Sequence, residues 1–241
     1  MRNSIIGTLI IFSIFLSGCD QKVVSGNERI STEKRTLKDQ YTKLNISGLY
    51  RVNIYANDNS DKIKLEADNN LFPFIHTTVK HDTLFIRNRH KTTLKPSQPM
   101  HIDINHRNID DVNYRGKGSV DIHSIRANKL RVAHYGTGSC YVKGHIKELT
   151  VEINGKGSCQ LTGSANQSLF VLKGKGGINA MNMVIKNARV EINGNGDVYI
   201  DAKKTLNVTI NGNGSVRYAG HPHISQTIHG RGKVTPATSD E

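Results

Sequence analysis

The sequence contains no tryptophan, and aromatic residues make up only 6% of its 241 positions. That scarcity leaves no sign of the ring platforms on which single-stranded nucleic acids stack. Acidic residues are also sparse, 20 Asp and Glu against 33 Lys and Arg, for a formal net charge of +13. The imbalance points to acidic partners: phospholipid headgroups, an anionic polysaccharide or nucleic acid. Of three cysteines, Cys140 and Cys159 lack the ligand spacing of a zinc site. The stretch "EINGNGDVYI" (191–200) lacks the third glycine and following helix of a dinucleotide-binding turn, because another alternating strand follows it. Nor do the carboxylates converge. Glu152 and Glu191 fall in one column but two repeats apart, near 10 Å if the repeats stack like strands, and Asp110 and Asp111 point to opposite faces of a strand. No cofactor, metal site or catalytic set is expected.

What the sequence has at its start is a short apolar run, Ile5 to Leu16, preceded by Arg2 and too short to span a bilayer. It ends in Leu16, Ser17, Gly18 and Cys19, which look like a bacterial lipobox. The expectation is a signal peptide over 1–18, cleavage before Cys19, and acylation of Cys19, with several chains holding the protein to a membrane. Inner-membrane periplasmic face and outer membrane stay open, although Asp20 resembles a retention signal. An exported protein makes nucleic acid a poor partner. Residues 19–41 are polar, charged and aperiodic, and read as a flexible tether.

The dominant feature is a repeat. The turns "YRGKGSV", "HYGTGSC", "INGKGSC", "LKGKGGI", "INGNGDV", "INGNGSV" and "IHGRGKV" have first glycines at Gly116, Gly136, Gly155, Gly174, Gly194, Gly212 and Gly230. Their partners are Gly118, Gly138, Gly157, Gly176, Gly196, Gly214 and Gly232. Successive spacings of 20, 19, 19, 20, 18 and 18 mark a repeat architecture. Apolar residues occupy positions two and four before the first glycine and four and six after it, the alternation of strands on either side of a turn. Leucine-rich repeats have a similar period, but their fixed leucine and asparagine frame is missing. The predicted fold is all-β: a single-stranded right-handed parallel β-helix of about nineteen residues per coil. Its domain spans 42–241, with seven Gly-x-Gly coils over 109–241. Residues 42–108 alternate without the glycine signature and are read as irregular initial coils continuous with the repeats, with an excursion at "HKTTLKPSQP" (90–99). Gln226 and Pro236 fall in core columns of the last repeat, as suits a terminal coil.

The segment "LNISGLYRVNIY" (44–55), the "INGNG" turns and "VRYAGHP" (216–222) resemble the auto-transporter adhesin head domain, or GIN domain, of bacterial envelope proteins. The resemblance implies a pectin-lyase-like β-helix without that group's catalytic set, and a role in adhesion.

If the coils stack in register, the turn residues line one edge of the rod. Arg115, Lys117, Lys156, Lys173 and Lys175 make it basic at first, Asn193, Asn195, Asn211 and Asn213 make it amide-rich later, and Arg231 adds a charge at the last turn. This edge is the candidate site for an anionic ligand, against the alternatives of an ordinary solvated turn or a stacked asparagine ladder. Cys140 and Cys159 share a core column in neighbouring coils. Stacked α-carbons about 4.8 Å apart permit a disulfide, but parallel side chains hold the β-carbons apart, and a free buried pair is favoured. His134 lies in an inward column and is expected to be a hydrogen-bonded core histidine, while His221, His223 and His229 cluster near the C-terminus without metal-ligand spacing. The leading expectation is a non-enzymatic, lipid-anchored envelope protein that binds a polysaccharide or another envelope component. A carbohydrate-active enzyme and a structural or stress-related lipoprotein are the alternatives.

Overall fold

A computed structural model describes residues 21–56, 62–106 and 108–237. Cys19 and the expected signal peptide lie outside the described residues. The stretch read as a tether forms β1 (Lys22–Ser25) and β2 (Ile30–Thr36), and Leu37 and Tyr41 are buried in the core. Both strands take their partners from far along the chain, so no local periodicity announced them. Strands β3 (Lys43–Gly48) and β4 (Tyr50–Tyr55) come next, then β5 (Lys62–Asp68) and a 3-10 turn over Asn69–Phe74. The segment ends with β6 (Ile75–Lys80), β7 (Thr83–Asn88), β8 (Thr92–Lys95) and β9 (Met100–Asn105).

These strands do not wind on as consecutive coils. Strands β3 and β4 flank a corner at Gly48 and already belong to the solenoid. The chain then moves outward, laying β7 parallel on β3 and β9 parallel on β4 as one further coil. Antiparallel partners close that end: β6 on β7, β5 on β9 and β2 on β5, while β1 pairs with β8 inside the expected excursion loop. A parallel stack offers an open ladder at its end, and the antiparallel strands cover it. To resume the repeats, the chain crosses back over the 43–55 coil. His106 holds that crossing, stacked on Tyr41 with ring centres 4.2 Å apart and its Nε2 2.6 Å from the Tyr41 carbonyl oxygen.

The repeats follow as β10 (Asp111–Gly116), β11 (Ser119–Gly136), β12 (Ser139–Gly155), β13 (Ser158–Gly174), β14 (Gly177–Gly194) and β15 (Asp197–Gly212). The last are β16 (Ser215–Ala219), β17 (His223–Gly230) and β18 (Lys233–Pro236). All pair parallel, with glycine opposite glycine from Gly48 and Gly116 through to Gly212 and Gly230. The fold is a parallel β-solenoid of about seven stacked coils.

The four apolar columns read from the sequence face inward. Val151, Ile153, Cys159 and Leu161 are typical, each at most 2% exposed. Two further inward columns run along the stack. Leu130, Leu149, Ser168, Ala188 and Leu206 form one, and Ile146, Ala165 and Ile185 another on the return side, where register shifts break the alternation. Burying each Val, Leu or Ile contributes about 1.5–3 kcal/mol, so the columns drive the stacking. The final coil is looser: Ile224, Ile228 and Val234 are only partly buried, and Gln226 and Pro236 are exposed.

Candidate ligand-binding edge

The corners are built from backbone. From the second Gly-x-Gly to the sixth, the middle residue's N–H reaches back to the preceding coil's first glycine, as from Lys175 to the Gly155 carbonyl at 2.9 Å and from Asn195 to that of Gly174 at 2.8 Å. The residue after the second glycine does the same one step on, as from Ser158 to the Gly138 carbonyl at 3.1 Å. Corner therefore stacks on corner with no room for side chains. At Gly155, with φ +125°, a Cβ would lie 2.5 Å from the Gly136 oxygen, and at Gly176 it would lie 2.4 Å from that of Gly157. The side chains that remain, at the middle of the turn and just before it, point outward in a row.

That row contains every predicted edge residue, all exposed: Arg115, Lys117, Lys156, Lys173, Lys175 and Arg231. They are not equivalent. Lys156 and Lys175 occupy adjacent coils, about 4.8 Å apart along the rod. Thr137 separates them from Lys117, and Asn195 and Asn213 separate them from Arg231. Arg115 lies over the Tyr135 ring at 5.1 Å. Lys173 is committed elsewhere: it binds Glu152 at 3.0 Å, and Arg131 holds the other oxygen of Glu152 at 2.9 Å while also reaching Asp111. Burial pushes the Glu152 carboxyl up, but Lys173 and then Arg131 together hold it below the usual value. Farther along, the asparagines form amide steps, Asn211 donating to Asn193 at 2.8 Å and Asn213 to Asn195 at 3.2 Å. Lys173 stands between Asn154 and this ladder and stops it from extending.

Beside the row, on the face after the turn, lies an open groove of about 630 Å³. Its floor is a column unread in the sequence: Asp121, Tyr141, Gln160, Asn179 and Tyr199 in successive ladder register. Their position, outward between the inward columns four and six after the glycine, is legible in the sequence, but their chemistry does not repeat. Beneath it, Cys140 and Cys159 are joined in a disulfide, with α-carbons 4.5 Å apart. The expectation of a free pair is corrected: the coils approach closely enough here for the side chains to meet.

The remaining candidates resolve into structure. Glu191 pairs with Arg189 at 2.7 Å, and Val171 stands between it and Glu152 in the ladder. His134 is buried and stacked on Tyr114 at 5.2 Å. Neither ring nitrogen reaches full hydrogen-bonding geometry, so the expected hydrogen-bonded histidine is corrected to one held by packing, with the Gly118 backbone and its own backbone as its polar neighbours. Burial holds its pKa below the ordinary histidine value. Tyr114, in the same column, instead ties the first corner, its hydroxyl donating toward the Gly48 and Tyr50 carbonyls at 3.0 Å and accepting from Gly118 N–H at 2.9 Å. His223 and His229 sit on the last full strand. Among the described residues no group of three or more His, Cys, Asp or Glu is placed to hold a metal.

Residues 40–222 match the family described as "Putative auto-transporter adhesin, head GIN domain". A "putative adhesin" of Bacteroides fragilis NCTC 9343 superposes with a TM-score of 0.82 at 23% identity, over 89% of this chain and all of that one. A "putative lipid binding protein" of Parabacteroides distasonis ATCC 8503 gives 0.76 at 22% identity, over 90% of this chain and all of its own. A third, a "putative adhesin" of Parabacteroides merdae ATCC 43184, gives 0.69 at 19% identity with coverage of 90% and 100%. No curated protein matches. At these identities the solved structures share the fold.

Proposed function

The chain belongs to the auto-transporter adhesin head GIN domain family, and from that premise we propose that it is a non-enzymatic binding protein of the bacterial envelope. In this reading acylated Cys19 anchors it, and the corner row contacts an anionic polysaccharide or another acidic envelope component. The observation that carries the reading is the row itself: Arg115, Lys117, Lys156 and Lys175 stand exposed on one edge, spaced by a rigid backbone ladder. Such an array meets a repeating polyanion with several weak contacts at once, so affinity grows by multivalency without a deep pocket. Lys173 contributes little, because Glu152 neutralises it.

The test is binding of the full chain to purified envelope polysaccharides and to vesicles rich in anionic phospholipid. Neutralising Lys117, Lys156, Lys175 and Arg231 together should weaken polysaccharide binding, whereas neutralising Lys203 and Lys204 on the return segment should not. Equal binding by both variants contradicts the reading. Preference for vesicles over polysaccharide would move the ligand from glycan to membrane surface. Lipidation is checked separately, by mass spectrometry of the mature protein and of Cys19→Ser.

A further inference from the structure

The groove beside the corners differs in chemistry from the basic row above it. Lys156 and Lys175 on its rim are matched by Asp121 and Asp197, so its charge is balanced and it has no preference for a polyanion. Within its floor two half-buried tyrosines, Tyr141 and Tyr199, stand three ladder steps apart or about 14 Å, with Asp121 one step beyond Tyr141. Between them the floor is the exposed amides of Gln160 and Asn179. Each ring is supported from outside this interval. His123, one coil before, packs tilted against Tyr141 at 6.1 Å. Arg217, one coil beyond, lies over Tyr199 at 5.4 Å and donates to its hydroxyl at 2.8 Å. Asn179 accepts the Met181 N–H at 3.1 Å, which fixes the orientation of its amide.

We propose that this groove binds a neutral segment of a glycan chain, with Tyr141 and Tyr199 as stacking ends and Gln160 and Asn179 as its hydrogen-bonding floor. A pyranose has C–H faces that pack on a ring and hydroxyls that need both donors and acceptors, and this surface offers both. A peptide strand would instead need unpaired backbone at a sheet edge. Here the backbone is already consumed in the ladder on both sides, so recognition falls to side chains. The length between the rings suits a few pyranose units. The groove shares only its two rim lysines with the basic edge, so it can fail while the edge survives.

The experiment titrates the full chain with defined neutral tetrasaccharides of hexose and of N-acetylhexosamine, and with uronate-containing counterparts. At least one neutral tetrasaccharide should bind. Tyr141→Ala or Tyr199→Ala should weaken it by about tenfold, equivalent to about 1.4 kcal/mol. Tyr141→Phe, which keeps the ring, should retain binding, and Gln160→Ala, an exposed change that spares the fold, should weaken it. Neutralising Lys117 and Arg231, which lie outside the groove, should leave it unchanged. The proposal is overturned if no neutral chain binds, or if binding survives both tyrosine truncations and Gln160→Ala. Binding confined to uronate chains, lost with the lysines and not with the tyrosines, overturns the groove while upholding the edge.

Discussion

At Gly194 a single added methyl would meet the Gly174 carbonyl oxygen at 2.3 Å, on a backbone with φ +141° that side chains avoid. Strain of this kind costs about 1–3 kcal/mol before the clash is counted. Gly194→Ala should therefore destabilise the protein by roughly 3 kcal/mol or more, whereas Asn195→Ala, one position on, loses only an exposed amide bond and should stay within about 1 kcal/mol. Urea denaturation of the two variants checks the contrast. His134 gives a pH signature. Its folded pKa is depressed by burial, so the unfolded chain takes up the proton first as pH falls. Stability is unaffected above the ordinary histidine value of about 6.5 and declines below it until the folded pKa is reached. His134→Leu, matching Leu172 in the same column, should remove that part of the acid dependence, as seen in denaturation midpoints between pH 7 and pH 5. The glycines were legible because their demand is local and recurs. The missing hydrogen bonds of His134 were not, because they depend on what the neighbouring coils leave within reach.

Elements respond to longer connections. The disulfide closes a loop with a sequence separation of 19 between neighbouring coils, for which chain entropy gives about 3 kcal/mol. The Cys140→Ala, Cys159→Ala double variant should lose about that much in thermal or urea unfolding. Its groove geometry should persist, because the ladder on either side does not rely on the bridge. At the N-terminal end, buried Asp68 joins three segments. Its oxygens accept from Glu28 N–H at 2.7 Å, Ser97 Oγ at 2.7 Å and Ser97 N–H at 2.9 Å. Burial pushes its carboxyl up, but the Ser97 and Glu28 bonds hold it below the usual value. Its stabilising effect is therefore full above the unfolded carboxylate pKa, near 3.9, and lost as pH falls through the folded one. Asp68→Asn should loosen β1, β2 and the 96–99 loop at neutral pH, read as faster amide exchange at Glu28 and Ser97, while β12–β15 stay protected. The alternation of β5 was visible in the sequence, but β1, β2 and the antiparallel closure were not. Strands β2 and β5 pair antiparallel with Lys34 opposite Lys64, and a short polar-alternating strand such as "ISTEKRT" looks like tether until its distant partner is known.

At the scale of the whole molecule, the repeat and its loosened final coil were legible and the N-terminal closure was not. Inward residues repeat because each coil buries the same columns, and the outward corner row follows from the same register. The groove was hidden for a different reason: Tyr141, Gln160, Asn179 and Tyr199 are chemically unlike, so no period links them, and only stacking brings them side by side. The rod thus carries two kinds of surface on adjoining faces, a basic edge set by the turns and a charge-balanced groove beneath it. The central claim is that the edge acts as a row. Its most direct test is calorimetric titration of the full chain with an anionic polysaccharide, comparing wild type with variants in which Lys117, Lys156, Lys175 and Arg231 are neutralised one after another. A row of independent contacts predicts a graded loss of affinity with each step, steeper at low salt because exposed charges are screened at high salt. Affinity that stays flat through all four steps, or that collapses at one residue alone, would contradict it.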